Sequence, residues 1–261
     1  LTLIKDFKTR IKNYNTHRDF PEKKGISYLS VHNRFGTVSI RHLAKIALKH
    51  KSQGSITWLN ELIWRDFYFQ ILSNFPHIQN GKSFKLKYNN LKFENDEEKF
   101  KAWMDGNTGF PIVDAGMRQL NTTGFMHNRL RMIVACFLVK DLLIDWRWGE
   151  KYFSEKLIDF DFSANNGGWQ WAASTGCDAQ PYFRIFNPIL QSKKFDPNGK
   201  FIKKYIPELK LLNKKQIHQP FIFFNKSPDN FPIKLGIDYP IPIINHADQK
   251  TKILALFKAA K

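Results

Sequence analysis

SITWLNELIWRDFYFQILS, residues 55–73, is the stretch whose period decides the fold. Its apolar residues do not alternate, and it holds neither Gly nor Pro, so it reads as one long, mostly buried helix. Trp58, Glu61, Arg65 and Tyr68 fall at i, i+3, i+7 and i+10, which puts them on one side. Trp64, three residues after Glu61, shares its neighbourhood. An acid and an arginine on an aromatic face admit two accounts. They form an internal Glu61–Arg65 pair at i,i+4, or Glu61 is a buried hydrogen-bond partner for a flat polar ligand held against Trp64.

The same period recurs outward from that helix. Helices are expected at 1–15, 39–50 with Ser39 as N-cap, 97–105, 111–121, 126–145, 149–158 and 247–260. Residues 76–96 read as irregular, 178–198 as loop, and 213–245 as a tail punctuated by Pro and Asn. There is no internal repeat and no strand-like alternation. The expected architecture is all-α, one domain of about a dozen helices over residues 1–261.

Bulk composition narrows the function classes. A chain of 261 residues with 43% hydrophobic content can bury a sizeable core, which argues against disorder. Lys and Arg number 41 against 23 Asp and Glu, a formal charge of +18 that attracts polyanions, nucleic acid before membrane. Most of that surplus is lysine scattered along the chain, so a simple drift toward lysine-rich surfaces explains it as well. Cys136, inside MIVACFLV, and Cys177 are the only cysteines, which favours neither a disulfide nor a metal site and fits a reducing, cytoplasmic setting. No apolar run approaches the length of a membrane span, and no signal or transit pattern is present.

Several short segments carry candidate chemistry. In FMHNRLRMIVACFLVKDLL, Asn128, Arg131 and Met132 share a helical face and resemble a pocket floor, although Arg129 and Arg131 snorkelling to solvent accounts for them too. LIDFDFSANNGG sets Asp159 and Asp161 two apart, with Asn165 and Asn166 following. No His or Cys stands nearby, so acid–base work, hydrogen bonding or a salt bridge to Arg131 outranks metal ligation. GISYLS, residues 25–30, offers backbone N–H groups and hydroxyls for phosphates, as do many plain loops. Arg18 in HRDFP and Gln191 in NPILQ are polar loop residues within reach of a phosphate. In NNGGWQWAASTG, residues 165–176, a helix would turn Trp169 and Trp171 about 200° apart, and the pair reads as core filler, a stacking platform or part of a redox path.

Together, RDFP, WLNELIWRDFY, TGFPIVDAGMRQLNTTGFMHNRLRMIVACFLVKDLLIDWRWGEKYF, the D-x-D before ANNGGWQWAASTG, and PYFRIFNP resemble the photolyase/cryptochrome family, its class I cyclobutane pyrimidine dimer photolyases in particular. The likeness spans the chain, with the 109–188 block the most specific. It implies the family's helical FAD-binding catalytic domain, with an N-terminal α/β domain, and the folate- or deazaflavin-type antenna it carries, absent from this chain. It also implies light-driven repair of UV-damaged DNA by a monomer, with reduced anionic FAD as cofactor and a flipped-out pyrimidine dimer as substrate.

The resemblance implies residue roles as well. Tyr14 and the loop Ile26, Ser27, Tyr28, Leu29 and Ser30 would hold FAD. Trp58, Arg65, Asn128, Arg131, Asp159, Phe160 and Asp161 would border it, with Asp159 paired to Arg131 and Asn165 beside the flavin N5 edge. Glu61 would bind the dimer, Trp64 and Trp171 would wall it, and Met132 would line the pocket. DNA would meet Arg18, Arg129, Gln191, Asn128 and the run Glu61, Leu62, Ile63, Trp64, Arg65, Asp66, Phe67 and Tyr68. Trp169 and Trp146 match the inner and middle members of the family's electron-transfer tryptophans. There are three departures, of which Phe160, between the aspartates where the family varies, carries little weight. Ile26 removes a hydroxyl from the phosphate loop. Phe93 occupies the outermost tryptophan position, which impairs electron transfer to the surface unless Trp103, Trp148 or Tyr88 substitutes. The rival readings are a cryptochrome-type photoreceptor without repair, a (6-4) photolyase, which would want more pocket histidines, and a flavin-free helical nucleic-acid-binding module.

Overall fold

The structure is a computed structural model that describes residues 2–260. Its central element is the helix Gln53–Asn74, two residues longer at its start than the hydrophobic pattern implies. The extension comes from a reciprocal cap: Ser55 N–H donates to Ser52 Oγ at 3.1 Å, and Ser52 N–H to Ser55 Oγ at 3.0 Å. Against this helix pack Tyr14–His17, Ile40–His50 and Phe162–Ala172. Phe162–Ala172 also packs on Asn128–Cys136 and Trp146–Lys156, so it ties the two halves of the molecule together. Among the described residues there is no strand, only an isolated bridge between Leu235 and Tyr239.

Two main cores result. The smaller joins Phe7, Ile11, Tyr14, Leu43, Trp58 and Leu62. The larger is built on Pro111–Thr123, Asn128–Cys136, Trp103, Trp146 and Trp169. Each fully buried side chain of this kind contributes about 1.5–3 kcal/mol before entropy is counted. No helix among the described residues is long and apolar enough to cross a membrane.

Four sequence expectations need correction. The segment 1–15 is not one helix: Thr2–Arg10 tightens into a 3₁₀ turn at Ile11–Asn13 and resumes at Tyr14–His17, which turns Phe7, Ile11 and Tyr14 onto one core face. The expected helix 126–145 runs only over Asn128–Cys136 and ends in a wide π turn, Phe137–Asp141, followed by Leu143 at φ +56°. Buried Lys140 dictates that break. Its ammonium donates to Ser174 Oγ and Arg184 O, both at 2.9 Å, and a regular helix would not deliver it there. The loop 178–198 contains the helix Pro188–Phe195, where Asn187 Oδ1 accepts from Leu190 N–H at 3.0 Å and proline occupies the first turn. Asn-Pro here starts a helix rather than ending one. The tail 213–245 holds a further helix, Pro220–Lys226, and Tyr239 pins it to the core by donating its buried hydroxyl to Asp114.

Two glycines position aromatic rings. A Cβ on Gly149 would stand 2.1 Å from Trp169 Cη2, and one on Gly167 would stand 2.2 Å from Tyr68 Cδ1. Bare backbone in NNGG is therefore the seat of the Tyr68 ring. Gly149→Ala is expected to destabilise the fold by about 1–3 kcal/mol through overpacking. Urea unfolding should show the loss, and the intrinsic fluorescence should shift as Trp169 is pushed aside. An unchanged midpoint and spectrum would contradict the close fit.

Candidate functional site

The helices Gln53–Asn74, Asn128–Cys136 and Phe162–Ala172 enclose a cavity of about 700 Å³, open at one side. That volume lies in the range of pockets for cofactor-sized ligands. The first helix contributes Glu61, Trp64, Arg65 and Tyr68, the second Asn128, Arg131 and Met132, the third Asn165, Gly168, Trp169 and Trp171. Asp159, Phe160 and Asp161 line it between the second and third, and Ser30 and Arg18 close the remaining side.

Charge at the mouth is arranged differently from either sequence account. Glu61 pairs with Arg18, not with Arg65. The packing of Tyr14–His17 across Gln53–Asn74 carries Arg18 there, so the residue expected to contact a phosphate is paired, in this structure, with the Glu61 carboxylate. Arg65 instead donates to the Asn33 carbonyl at 3.3 Å and stacks 4.7 Å over Phe69. Trp64, 44% exposed, meets Phe67 edge-on at 5.2 Å.

Deeper in the wall, Arg131 Nη2 contacts both Asp159 oxygens, at 2.8 and 3.0 Å, while its Nε donates to Met126 O at 2.8 Å. Asp161 spends one oxygen as N-cap of Phe162–Ala172, accepting from Ala164 N–H at 3.2 Å, and so serves the helix as well as the cavity. The paired asparagines both turn to Glu150. Asn165 Nδ2 donates to its carbonyl at 3.1 Å, and Asn166 Nδ2 to its carboxylate at 2.8 Å. Burial pushes the Glu150 carboxyl up. Trp169 is buried against Phe153 at 5.0 Å, whereas Trp171 stands half-buried beside Phe186 at 6.2 Å.

Other expected site residues lie outside the cavity lining. Tyr14 and Trp58 are core residues around Phe7, at 5.8 and 4.8 Å, and burial pushes the Tyr14 phenol up. Ile26 presents its carbonyl to Arg10 at 2.7 Å, Ser27 Oγ accepts from Leu29 N–H at 3.3 Å, and Leu29 is buried. Tyr28, held at φ +57°, points toward Phe125. Only Ser30 of that loop reaches the cavity. Leu62 is buried in the smaller core, while Ile63 and Asp66 are exposed. Arg129, also expected to contact a DNA backbone, pairs with Asp19 at 2.8 Å and lies 4.3 Å over Phe195. Gln191 has its Oε1 buried. Trp146 is fully buried, and Phe93 packs half-buried between two clusters.

Three polar lining residues escaped the sequence reading, along with apolar or small ones such as Phe153, Leu157 and Gly168. Asn33 and Arg34 follow Ser30 on the short helix Ser30–Arg34, and Asp178 accepts the Tyr68 hydroxyl at 3.0 Å. Spacing from Ser30 carried the signal for the first two; nothing local marked Asp178. Among the described residues neither Arg34 nor Arg65 forms an ion pair: Arg34 donates to the Phe160 carbonyl and Arg65 to that of Asn33. Asp161 and Asp178 in the same lining form no ion pair among those residues either, so the cavity offers carboxylates as well as the two guanidinium groups, which are suited to an anionic group such as a diphosphate.

His127 caps the floor helix, its Nδ1 accepting from Arg129 N–H at 3.2 Å, which requires a neutral ring. Burial, reinforced by Arg129 and Arg131 against an opposing Asp19, pulls its pKa down to about 4. The folded pKa lies below the ordinary value of 6.5, so the contribution is intact above that value and is lost as pH falls toward 4. His127→Asn keeps a cap without the titration. Between pH 6.5 and 4 the wild type is expected to lose up to about 3 kcal/mol more than this variant, at about 1.36 kcal/mol per pKa unit. Parallel urea curves across that window would refute the assignment.

A family model described as the FAD binding domain of DNA photolyase matches residues 58–259. A deoxyribodipyrimidine photo-lyase of Vibrio cholerae is 48% identical over 264 residues, covering 99% of this chain and 55% of its own length. That of Escherichia coli is 47% identical over 254 residues, covering 95% and 52%. The chain thus spans about half the length of these curated relatives. Among solved structures, a class III photolyase from Agrobacterium tumefaciens superposes with a TM-score of 0.93 at 42% identity, over 99% of this chain and 55% of that one. A Synechocystis cryptochrome gives 0.85 at 32% identity, over 97% and 54%. The quoted motifs resemble class I while the Agrobacterium neighbour is class III, so the helical fold does not separate the classes.

Proposed function

Since the chain belongs to the family of DNA photolyase FAD-binding domains, we propose that residues 1–261 form one catalytic unit that holds FAD in the central cavity and repairs pyrimidine dimers in UV-damaged DNA. The observation that carries this reading is convergence. An acid, Glu61, two aromatic walls, Trp64 and Trp171, and two arginines without carboxylate partners, Arg34 and Arg65, all face one cavity of suitable volume.

Reduced FAD held there would supply the light-excited electron needed to open a cyclobutane ring. The chain's own residues do the rest. Arg34, Arg65 and Ser30 would hold the anionic part of the cofactor, and the Arg131–Asp159 pair and Asn165 would brace its flavin side. Tyr14, Ile26, Ser27, Tyr28, Leu29 and Trp58 act behind that wall, shaping the loop and the core that position Ser30. Glu61 accepts hydrogen bonds from the extruded bases once Arg18 yields, Met132 and Asn128 floor the pocket, and half-exposed Trp64 replaces the stacking those bases lost. Docking draws on the charge of +18, with Arg18, Arg129 and Gln191 reaching the backbone only if their present contacts open. The unit acts as a cytoplasmic monomer.

A photoreceptor of cryptochrome type shares the fold, but Glu61 and Trp64 at the cavity mouth favour repair. The test is light-dependent loss of thymine dimers from a defined oligonucleotide by flavin-loaded protein. Loss only under blue light is the expected result. A flavin spectrum without loss would leave the photoreceptor, and no flavin uptake would leave a nucleic-acid-binding module.

A further inference from the structure

Behind the cavity wall runs a row of rings that the proposed repair chemistry does not use. Trp169, on the cavity, stands 6.1 Å from Trp103 at 69°, and Trp103 stands 5.8 Å from Tyr152 at 63°. Trp103 is wholly buried, and its Nε1–H donates to Val134 O at 3.1 Å. Tyr152 is half-buried, and its hydroxyl donates to Oδ1 of exposed Asn121 at 2.6 Å. Three oxidisable side chains therefore connect the cavity with solvent in two short steps.

The route through Trp146 that the resemblance implies is disfavoured by its surroundings. The Arg147 guanidinium lies 4.8 Å over the Trp146 ring, and a cation there raises the energy of a positive hole on that indole. Asp145, 2.9 Å from Arg147, offsets part of this charge but not all of it. The Trp146 Nε1 is buried with no partner, so an oxidised ring has no carbonyl to steady it and no acceptor for its proton. The outermost position of that implied route is Phe93, half-buried against the same core, a benzene ring that yields an electron far less readily than an indole or a phenol. At Trp103 the Val134 carbonyl does the opposite and steadies a positive indole. Lys156 lies 5.6 Å over Tyr152 and would oppose a charged phenol, but tyrosine gives up a proton with its electron and ends neutral.

We infer that Trp103 and Tyr152 form this chain's outward electron path, with Tyr152 as terminal donor to a one-electron oxidant in the cavity. The inference rests on the flavin reading, the oxidant being photo-excited oxidised flavin. It takes one electron from Trp169, Trp103 returns one to Trp169, and Tyr152 returns one to Trp103. Tyr152 ends one electron and one proton poorer, the proton passing along the hydrogen bond to Asn121 Oδ1 and on to water. An external thiol restores both.

The experiment is a blue flash on protein loaded with oxidised flavin, without DNA, followed by transient absorption. A tyrosyl radical signal should grow as the indolyl signal decays. Tyr152→Phe should abolish it and slow net flavin bleaching about tenfold, the factor that about 1.4 kcal/mol of barrier gives. Trp103→Phe should do the same, with circular dichroism and flavin content showing both variants folded. Tyr88, which pairs with Phe257 away from this row, serves as control, and Tyr88→Phe should change neither readout. A tyrosyl signal that survives Tyr152→Phe, or disappears in Tyr88→Phe, would overturn the path. Protein that takes up no flavin would fail the flavin reading alone. A UV flash that ionises indoles directly in the flavin-free chain then decides the path by the same signal.

Discussion

Arg131→Met is expected to cost about 3 kcal/mol of stability, the low end for a broken buried ion pair because the Arg131 side chain is 27% exposed. Its partner is the reason for the size of the effect. Asp159 has only 3% of its side chain in solvent, and Arg131 supplies the one guanidinium that contacts both its oxygens. Removing the arginine leaves a carboxylate desolvated and unpaired, which is more damaging than losing both partners. The double variant Arg131→Met with Asp159→Leu should therefore recover most of the loss in urea unfolding. The single variant should also fail to retain flavin, read as absorbance after gel filtration, because the same pair braces the floor and the wall of the cavity. Full stability in the single variant would show that Asp159 finds water or another donor.

How much of this was legible in the sequence depends on range. The Gln53–Asn74 helix declared itself because its period is a local property, and only its first turn was misjudged, since a Ser–Ser cap is a weaker signal than Ser followed by Glu. The helix at 126–145 was misjudged because its end is set by Lys140 reaching Ser174, a residue 34 positions away. The tail hid its own anchor, because Tyr239 meets Asp114 across 125 positions. The cavity residues Glu61, Trp64, Arg131, Asp159, Asn165, Trp169 and Trp171 were recoverable because each stands in a dense, unusual motif. Partner choice was not. Nothing near Glu61 in sequence names Arg18, 43 positions earlier, and the i,i+4 geometry pointed instead at Arg65. Tyr14 and Trp58 carry no local signal of a ligand role, which only the resemblance implies, and both pack against Phe7 in the smaller core.

Glu61→Ala is expected to lower the yield of dimer splitting by about tenfold to a hundredfold, as losing a hydrogen bond to a charged group costs about 1.5–3 kcal/mol. Flavin content should not change, because the Glu61 carboxylate pairs with Arg18 and takes no part in the Arg131–Asp159 brace. The argument turns on Arg18. In this structure it occupies the Glu61 carboxylate, so a lesion must displace the guanidinium before it can be held. The pair is partly exposed, 20% and 33%, and such pairs are weak enough to open. Glu61→Gln keeps an acceptor oxygen and should fall between wild type and Glu61→Ala. Arg18→Ala tests the other half: it frees Glu61 for the bases while removing a positive charge from the mouth. Binding of undamaged DNA should then weaken with a smaller salt dependence, while splitting per bound lesion holds. Single-turnover repair of a defined thymine dimer under saturating blue light, with flavin content fixed by absorbance, separates these outcomes. Undiminished splitting in Glu61→Ala would remove Glu61 from lesion binding and leave it as the anchor of Arg18.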